Sequence, residues 1–435
     1  MRHIILILLG AIMANAISYD FDLENQYNTY IENFYKKNPY GAGYYIESTA
    51  TDGDQNTVTV SEAIGYGMLI TVMMDDKEKF DEINTFFKLH QLPNKLMKWS
   101  VYADGTAANG SATDGDLDIA YALLVADQRW GGYKTEAVEI IDSIWKYEIY
   151  NQEGFLPSCG DTWLSGQFYM EDSYTRPSDW MPGHFRAFDK VSDHEWMYVV
   201  DAIYEFNLKN RHEFSGLLPD FFKGNDPAPA NGIEGQYDGD YYYNACRTPL
   251  RFAMDDSPEG KEASETIVNF FLGKYDYDLM NMKPGYWLDG TEIGRDYQDF
   301  TFISPVASVD VEDDGYMWYN LASYNMEQVF PAALNMLSML VLSDRWIHYD
   351  EDPVHTIVRT NMDSKNKKIV CTISHNHINI FDSSKPVDIV IYNLKGQVQH
   401  ELTVPQDMNF INVNFLSPGA YVFKLKGVSI KGIIK

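Results

Sequence analysis

The spacing of apolar residues is most regular in residues 112–130, which read ATDGDLDIAYALLVADQRW. Four apolar residues recur at the spacing of one helix face: Ile119, Leu123, Ala126 and Trp130. The segment is therefore predicted to be a helix whose apolar stripe faces a core. Thr113 is its expected N-cap, and Asp114, Asp116 and Asp118 place carboxylates at the positive end of the helix dipole. Acids at a helix start often do no more than stabilise the helix, so their role stays open here.

Stripes of the same period predict further helices between about residues 19 and 349. They lie at 62–74, 79–90, 134–149, 191–208, 245–254, 261–273 and 325–343. Long connections rich in Gly, Pro, Asp and aromatic residues separate them, namely 150–190, 212–243 and 275–320. The pattern indicates a mainly α domain of helical hairpins closed into a ring, with function carried by loops and helix ends. A superhelical array is the alternative, but it should show a sequence repeat, and none is visible.

The C-terminal part of the chain has a different pattern. Short β-branched or aromatic runs such as VDIVIYN and AYVFKLK are separated by turn sequences such as SPGA. All nine tryptophans lie at or before Trp346, and from His355 onward ten Lys and Arg stand against five Asp and Glu. We predict a helical domain at 17–349, a linker at 350–355 and a small all-β domain at 356–435.

The composition excludes several classes of protein. An apolar fraction of 45% is too high for a disordered chain, and 435 residues are enough for two domains. The formal net charge of −29 argues against nucleic acid as a partner, because the phosphates would be repelled. Aromatic residues make up 14% of the chain; large cores use most of them, but some can line a cleft.

The first residues, MRHIILILLGAIMANA, combine Arg2, an apolar run and an A-x-A pattern that ends at Ala16. This is typical of an export signal, so we expect residues 1–16 to be cleaved and the mature protein to be secreted or on the cell surface. No later stretch is apolar enough to span a membrane, and membrane insertion is not expected.

No metal or other cofactor is expected. If Asp114 were the first position of a calcium loop, Ile119 would stand where the turn glycine is required. The three cysteines, Cys159, Cys246 and Cys371, lack zinc-ligand spacing and can form one disulfide at most.

Cleavage of a glycosidic bond needs two carboxyl groups on opposite sides of the anomeric carbon, one protonated and one ionised. An acidic, exported, aromatic-rich helical protein is a candidate for this chemistry. Glu62, in VTVSEAIGYGMLI, is the first candidate acid, on a helix that Ser61 or Thr59 can cap. Because a helix N-terminus favours the ionised carboxyl, desolvation or a neighbouring carboxylate such as Asp114 has to keep Glu62 protonated.

The stretch 112–130, with SEAIGYGML about fifty residues upstream, resembles the family 8 glycoside hydrolases. Further segments share the likeness: LMKW ending at Trp99, YTRPSDWMPGHFRAF at 174–188 and YYYNACRTPLR at 241–251. Together they cover about residues 30–345. The resemblance implies an (α/α)6 barrel of six inner and six outer helices, an open cleft, and inversion at the anomeric carbon.

The resemblance also implies roles for individual residues. Glu62 matches the general acid, and Asp114 matches the carboxylate that holds the sugar at the cleavage subsite. Trp99 resembles a stacking platform, with a core tryptophan as the alternative. Arg247 resembles the arginine beside the catalytic base.

The chain departs from the better-known branch of the family at Asn244. That branch has an aspartate base three residues before the arginine, whereas an amide cannot serve as a base. A second branch, similar to chitosanases and licheninases, has this Asn and takes its base from a Glu in the preceding loop. The loop 224–243 holds one Glu, Glu234, which is the expected general base, with Asp238 and Asp240 as rivals. Inversion predicts that the Glu62 and Glu234 carboxyls lie roughly 6.5–9.5 Å apart.

Other residues are expected to contact the substrate. Arg176 and Asp179 flank Trp180 and either shape the cleft or form a buried ion pair that supports a loop. Sugar faces stack on aromatic rings, so Trp180 and Tyr243 are expected substrate-binding residues. Further aromatic candidates are Tyr242, Trp163 and Trp287.

In the tail, VDIVIYNLKGQVQ followed by LSPGAYVFKL resembles the C-terminal sorting domain of type IX secretion. The resemblance implies secretion machinery as a partner. A carbohydrate-binding module is the alternative, but the tail lacks Trp and is basic, whereas such modules expose aromatic platforms.

The expected protein is a secreted, monomeric, inverting endo-β-glycanase that hydrolyses internal β-1,4 linkages of cellulose or mixed-linkage β-glucan. A chitosanase is the close alternative, since an acidic cleft attracts a cationic polymer. From another class, the alternative is a non-catalytic polysaccharide-binding protein on a degenerate barrel. Asn244 keeps that alternative open, and Glu234 argues against it.

Overall fold

A computed structural model describes residues 19–48, 56–149, 154–161, 174–309 and 315–350, and in the C-terminal part 370–374, 377–381, 387–393, 397–404, 410–412, 419–425 and 428–434. The chain divides into two compact units between Tyr349 and Asp350. The expected export signal, Trp163 and most of the expected linker lie outside the described residues.

The described part of the first unit contains twelve α-helices. They are α1 at 19–34, α2 Ser61–Met73, α3 Lys77–Leu89, α4 Thr113–Trp130, α5 Lys134–Ile144, α6 Pro182–Asp189, α7 Trp196–Asn210, α8 Thr248–Ala253, α9 Pro258–Lys274, α10 Phe300–Val306, α11 Tyr316–Ala322 and α12 Val329–Leu342. A π-helical turn, Trp145–Ile149, extends α5, and a 3₁₀ turn, Ala245–Arg247, precedes α8.

The even-numbered helices form a closed ring. In it, α2 packs against α4, α4 against α6, α6 against α8, α8 against α10, α10 against α12, and α12 against α2. Odd-numbered helices pack on these inner helices: α3 on α2, α5 on α4, α7 on α6, α9 on α8 and α11 on α12. The ring of helical hairpins is therefore present, and a superhelical array is excluded because the last inner helix contacts the first.

Helix α1 joins the end of this unit to its beginning. The Gln26 side chain donates a hydrogen bond to the carbonyl of Ala322 over 2.6 Å, and Asn33 donates to the carbonyl of Met326 over 2.8 Å. Buried apolar residues from all the inner helices form one continuous core. This core fixes the ends of the inner helices relative to one another.

The predicted N-caps of two inner helices are wrong. Thr113 is the first helical residue of α4, and the extended residue before it, Ala112, has no capping side chain. Helix α2 likewise begins at Ser61 without a side-chain cap, and the Thr59 hydroxyl donates to the carbonyl of Ile46 over 2.7 Å instead. Tertiary contacts set these starts, since the Ser61 N–H donates to the carbonyl of Trp99 over 2.9 Å.

Other helices depart from the predicted ranges. The helix expected at 191–208 begins at Trp196, and the one expected at 245–254 consists of the 3₁₀ turn followed by α8. Helices α6 and α10 lie within segments that were expected to be connections, and α11 begins within one. These three are seven or eight residues long and begin or end near Pro or Gly, so their apolar period is too short to detect.

Among its described residues, the first unit also contains seven short strands. They are β1 Tyr35–Lys37, β2 Tyr44–Ile46, β3 Thr57–Val60, β4 Ser100–Tyr102, β5 Tyr174–Thr175, β6 Phe222–Lys223 and β7 Asp226–Pro227. β1 pairs with β2, β3 with β4, and β6 with both β5 and β7, all antiparallel. β3 leads directly into α2, so its pairing with β4 holds the segment around Trp99 beside the start of that helix.

The described residues of the second unit are mainly strands. They are β8 Val370–Ser374, β9 His377–Phe381, β10 Val387–Asn393, β11 Val398–Val404, β12 Phe410–Asn412, β13 Gly419–Leu425 and β14 Val428–Ile434. One sheet has the order β11-β10-β13-β14 and another the order β12-β9-β8, with antiparallel pairing in both. Within the described ranges of the whole chain, no helix has the length and apolarity needed to cross a membrane.

Candidate active site

The expected site residues lie where inner helices begin. Glu62 is the second residue of α2, and Asp114 is the second residue of α4. Arg176 lies shortly before α6, and Arg247 immediately precedes α8. Because an outer helix returns the chain between successive inner helices, the inner helices run in the same direction and their beginnings meet at one end of the ring.

Arg247 connects the two best-supported carboxylates. Its Nη1 donates to Glu62 Oε1 and, over 2.9 Å, to Asp114 Oδ2. Its Nη2 donates to Ser178 Oγ over 2.7 Å and to Asn244 Oδ1 over 2.8 Å. The guanidinium is buried. A buried cation with several hydrogen bonds to fixed partners is held in one orientation.

Arg176 forms a second, largely buried cation beside the first. Its Nε binds both carboxylate oxygens of Asp179 at 2.9 and 3.0 Å, and its Nη2 lies 2.9 Å from Asp114 Oδ2. Asp179 is fully buried, and burial raises its pKa to about 7 against the opposing effect of the Arg176 guanidinium. The two interpretations given for this pair are therefore compatible, because the buried ion pair also holds Asp114.

Glu234 reaches the same network from the loop 224–243. Its Oε2 accepts a hydrogen bond from Asn244 Nδ2 over 2.8 Å, while the residue as a whole is exposed. Asn244 therefore lies between Glu234 and Arg247. The chain of contacts Glu62–Arg247–Asn244–Glu234 joins both expected catalytic carboxyls, which do not contact each other directly.

Asp220 lies beneath Asn244. One of its oxygens accepts the backbone N–H groups of Tyr242, Asn244 and Ala245, at 2.9, 3.1 and 2.7 Å. Burial, together with the nearby Glu234 carboxyl, raises the pKa of Asp220 to about 8. Sequence reasoning missed this residue, because nothing in the local sequence shows that it folds under a segment more than twenty residues later.

The rivals of Glu234 have different surroundings. Asp238 is buried, and its carboxylate accepts the N–H groups of Ile233, Glu234 and Gly235 at 2.7 to 3.3 Å. It thus fixes the backbone that carries Glu234. Asp240 is partly buried, and burial raises its pKa to about 6. Of the three, Glu234 alone contacts the network through its side chain.

One helical turn further in, three residues form a layer beneath the site. Tyr66 follows Glu62 by four residues, and its hydroxyl donates to Glu62 Oε1 over 2.8 Å. Asp118 and Arg251 follow Asp114 and Arg247 at the same spacing and form a bidentate ion pair at 2.7 and 2.8 Å. Burial alone would raise the pKa of Asp118, but Arg251 and His184 lower it below the usual range. The spacing of four residues from Glu62, Asp114 and Arg247 is the sequence feature from which this layer could have been predicted.

Asp116 points away from the site. Its Oδ1 accepts the Met97 N–H over 2.7 Å, and its carboxyl hydrogen-bonds that of Glu148, which also accepts from Ser111 Oγ over 2.7 Å. Both carboxyls are fully buried, and burial raises the pKa of each well above the usual range. Two carboxyls in hydrogen-bonding contact share a proton. Of the three acids at the start of α4, only Asp114 therefore joins the site.

The aromatic candidates fall into different environments. Trp99 is half-buried, and its carbonyl bonds the residue before Glu62. Tyr243 is half-buried and donates to Asp299 over 2.8 Å. Trp287 is 46% exposed. Trp180 is fully buried and stacks on Phe222, so the prediction that it contacts substrate is wrong, since no ring face is left for a sugar. Exposure of a single aromatic residue is not readable from sequence.

Cys159 and Cys246 are both buried free thiols. Burial raises the pKa of each thiol. The side chain of Cys371 lies outside the part of the chain that is described.

Comparison with known proteins decides the family. The profile described as Glycosyl hydrolases family 8 matches residues 17–343. The chain belongs to family 8 of the glycosyl hydrolases. It is thus a glycoside hydrolase, as the motifs around Glu62 and Asp114 indicated.

Curated members of family 8 are similar over most of their length. The chain is 34% identical over 340 residues to a beta-glucanase of Niallia circulans, covering 71% of this chain and 81% of the relative. It is 34% identical over 361 residues to an endoglucanase of Bacillus sp. (strain KSM-330), covering 74% and 76%.

Solved structures of family 8 enzymes share the fold. An apo structure of a beta-1,3-1,4-glucanase from Paenibacillus sp. X4 superposes with a TM-score of 0.69 at 30% identity, covering 77% of this chain and 94% of that one. Rex8A from Paenibacillus barcinonensis, complexed with xylose, superposes with a TM-score of 0.64 at 21% identity, covering 77% and 95%. The second likeness supports the barrel fold alone.

Proposed function

We propose that the protein is an inverting endo-β-glucanase with Glu62 as general acid and Glu234 as general base. The observation that carries the proposal is the 2.8 Å hydrogen bond from Asn244 to Glu234, because it brings a loop carboxylate to the network of Glu62 and Asp114. This bond also explains how the chain can dispense with a carboxylate at position 244.

In this mechanism Glu234 removes a proton from a water molecule, which attacks the anomeric carbon. The bond from that carbon to the leaving oxygen breaks, and Glu62 gives its proton to the leaving oxygen. Asp114, held by Arg247 and Arg176, accepts sugar hydroxyl hydrogens at the cleavage subsite. No covalent intermediate forms, so the configuration at the anomeric carbon inverts.

Glu62 has to be protonated before it can act. It contacts the Arg247 guanidinium and accepts a hydrogen bond from the Tyr66 hydroxyl, and both contacts favour the ionised carboxyl. Substrate binding must therefore loosen the contact between Arg247 and Glu62. Arg247 keeps Asp114, Ser178 and Asn244 as partners when it does so.

The proposed substrate is a β-1,4-linked or mixed-linkage glucan. Support comes from the names of the relatives, which are a beta-glucanase, an endoglucanase and a beta-1,3-1,4-glucanase. Chitosan is the second candidate, because the net charge of −29 and the acidic loop 224–243 would attract a cationic polymer.

The test measures release of reducing ends from lichenan, carboxymethylcellulose and chitosan in parallel. We expect lichenan or carboxymethylcellulose to be cleaved, and E62Q and E234Q each to lower kcat by about 10²–10⁴-fold. D240N is the matched control for a rival carboxylate in the same loop and should stay within a few-fold of wild type. The first product seen by NMR should be the α-anomer. Full activity of E234Q would move the base to Asp238 or Asp240, and cleavage of chitosan alone would make the enzyme a chitosanase.

A non-catalytic polysaccharide-binding protein is the outcome if wild type binds lichenan but releases no reducing ends from any of the three polymers. Membership of the hydrolase family argues against this outcome. The network that includes Glu62 and Glu234 argues against it as well, because a degenerate site has no need of two oriented carboxyls.

We further propose that residues 1–16 are an export signal and that 356–435 form a β-sandwich sorting domain, which together place a monomeric enzyme outside the cell. The sequence of the first residues and the two antiparallel sheets of the second unit support this proposal. Deletion of 356–435 should leave lichenan hydrolysis and cellulose binding intact but prevent arrival at the cell surface. Loss of cellulose binding instead would identify a carbohydrate-binding module.

A further inference from the structure

The side-chain amide of Asn244 lies between two cations and two acids. Its oxygen accepts from Arg247 Nη2 at 2.8 Å and from Arg176 Nη1 at 3.4 Å. Its nitrogen donates to Glu234 Oε2 at 2.8 Å and faces Asp220 Oδ2 at 3.4 Å. A side-chain amide presents an acceptor on one side and a donor on the other, which matches this arrangement of cations and acids. The surroundings therefore fix both the position and the orientation of this side chain.

The backbone at Asn244 is held equally firmly. The same oxygen of Asp220 accepts the N–H groups of Tyr242, Asn244 and Ala245. Asn244 itself is buried, with 9% of its surface exposed. A buried side chain whose oxygen and nitrogen are both occupied has little capacity left for a sugar hydroxyl, which makes the expected substrate-binding role of Asn244 a poor match to its geometry.

Glu234, in contrast, depends on Asn244. It belongs to an exposed loop whose backbone is anchored by Asp238. Among the residues that the structure describes, Asn244 is the one whose side chain hydrogen-bonds the Glu234 carboxyl. Without that bond, the carboxyl of an exposed glutamate has three rotatable bonds and no fixed direction.

We propose that Asn244 is the positioning residue of the general base: its amide nitrogen holds the Glu234 carboxylate, and its amide oxygen ties that carboxylate through Arg247 to Glu62. This inference rests on the proposed function, in which Glu234 is the base. It also predicts that an aspartate does not replace Asn244 in this chain. A carboxylate there would lack the donor and would face the oxygens of Glu234 and Asp220.

The experiment uses azide, a nucleophile that needs no general base. In E234A, azide attacks the anomeric carbon, the bond to the leaving oxygen breaks, and Glu62 protonates that oxygen, which gives a glycosyl azide of inverted configuration. We expect N244A and N244D to lower kcat on lichenan by about 10²-fold or more while KM stays within about threefold. In the E234A background with azide, adding N244A should change the rate by less than about twofold, because no base remains to be positioned.

N281A is the matched control, since Asn281 also donates to a carboxylate, Asp278 at 3.0 Å, but lies outside the site. It should keep wild-type kcat. Thermal unfolding of each variant shows whether it is folded, and N244D preserves the volume of the side chain.

Three outcomes would overturn the inference. The first is full kcat in N244A. The second is a loss of rate on adding N244A to azide-rescued E234A that is as large as the loss in the wild-type background. The third is activity of N244D that remains when E234A is added. The last would show that a carboxylate at position 244 acts as base here. Full activity of E234Q, by comparison, overturns the base assignment itself and so the proposed mechanism.

Discussion

Gly115 in α4 lies directly against Ser61 in α2. A Cβ atom built on Gly115 would be 2.5 Å from Ser61 Oγ and 2.6 Å from the Ser61 carbonyl carbon, closer than any real contact. The two residues adjoin Asp114 and Glu62, so the absence of a side chain at Gly115 sets how closely the two carboxylates approach. Helices meet at such short range only where one of them carries a glycine.

Substitution G115A should separate the starts of α2 and α4. We expect a loss of about 1–3 kcal/mol in the free energy of unfolding, because the new methyl group overlaps the Ser61 backbone as well as its side chain, and the backbone cannot rotate away. The kcat should fall as well, since Glu62 and Asp114 move apart. The control is G273A in α9, where a Cβ meets nothing within 4 Å and should be neutral or stabilising by up to about 1 kcal/mol. Urea unfolding and initial rates on lichenan measure both effects; equal stability of G115A and wild type would contradict the close packing.

Substitution Y66F should extend the pH range of activity on the alkaline side. The Tyr66 hydroxyl donates to Glu62 and favours its ionised form, whereas a general acid must be protonated. Removing this donor should move the alkaline limb of kcat/KM upward by up to about one pH unit, as expected for one hydrogen bond of about 1 kcal/mol. The ring remains in place over Arg251, so the fold should hold. An unchanged limb would show that Glu62 does not control it.

Substitution E148Q should remove a pH dependence of stability. The buried Asp116 and Glu148 carboxyls have a raised pKa, so the folded state keeps a proton that the unfolded state loses above the ordinary carboxyl range near pH 4. The unfolded state then binds fewer protons, and the stability of wild type falls as pH rises, by up to about 1.4 kcal/mol per pH unit. In E148Q an amide donates to Asp116 without titrating, so this slope should flatten.

Urea unfolding between pH 5 and pH 8 measures that slope. The exposed Glu78 provides the control E78Q, which should keep the slope of wild type. A slope in E148Q as steep as in wild type would mean that the two carboxyls do not share a proton.

Substitution D238A should weaken catalysis without removing the base. Asp238 accepts three backbone N–H groups of the loop that carries Glu234, so its loss should loosen that loop and lower kcat. Azide should restore the activity of E234A but not that of D238A. In D238A the Glu234 side chain still blocks the path of azide to the anomeric carbon. Azide rescue of D238A to the level of E234A would make Asp238 the base instead.

The part of the site that depends on local sequence was predictable. Glu62 and Asp114 stand at the starts of strongly apolar helices, and Arg247 belongs to a segment with a specific motif. The roles of these three residues came from the resemblance of their local segments to motifs of family 8. Asp220 was not predictable in this way, because its partners lie more than twenty residues later and are backbone N–H groups without a sequence signature.

The same distinction applies to the fold. Long helices such as α4 were predicted within two residues, but the cap at Thr113 was not. The starts of α2 and α4 are set by backbone hydrogen bonds to the carbonyls of Trp99 and Cys159 rather than by a capping side chain. The burial of Trp180 depends on Phe222 from a distant strand. Short inner helices such as α10 have too few residues to show a period.

The contacts of α1 with the segment around Ala322 and Met326 have a consequence for synthesis of the enzyme. Every residue to which we assign a step in the reaction lies at or before Arg247, but three inner helices, α8, α10 and α12, follow it in the chain. A growing polypeptide that has emerged as far as Arg247 therefore contains every residue assigned to the reaction, but it lacks the inner helices that align these residues. Hydrolysis should begin only after translation has passed α12, so the appearance of activity during synthesis would time the moment at which the first and last helices meet.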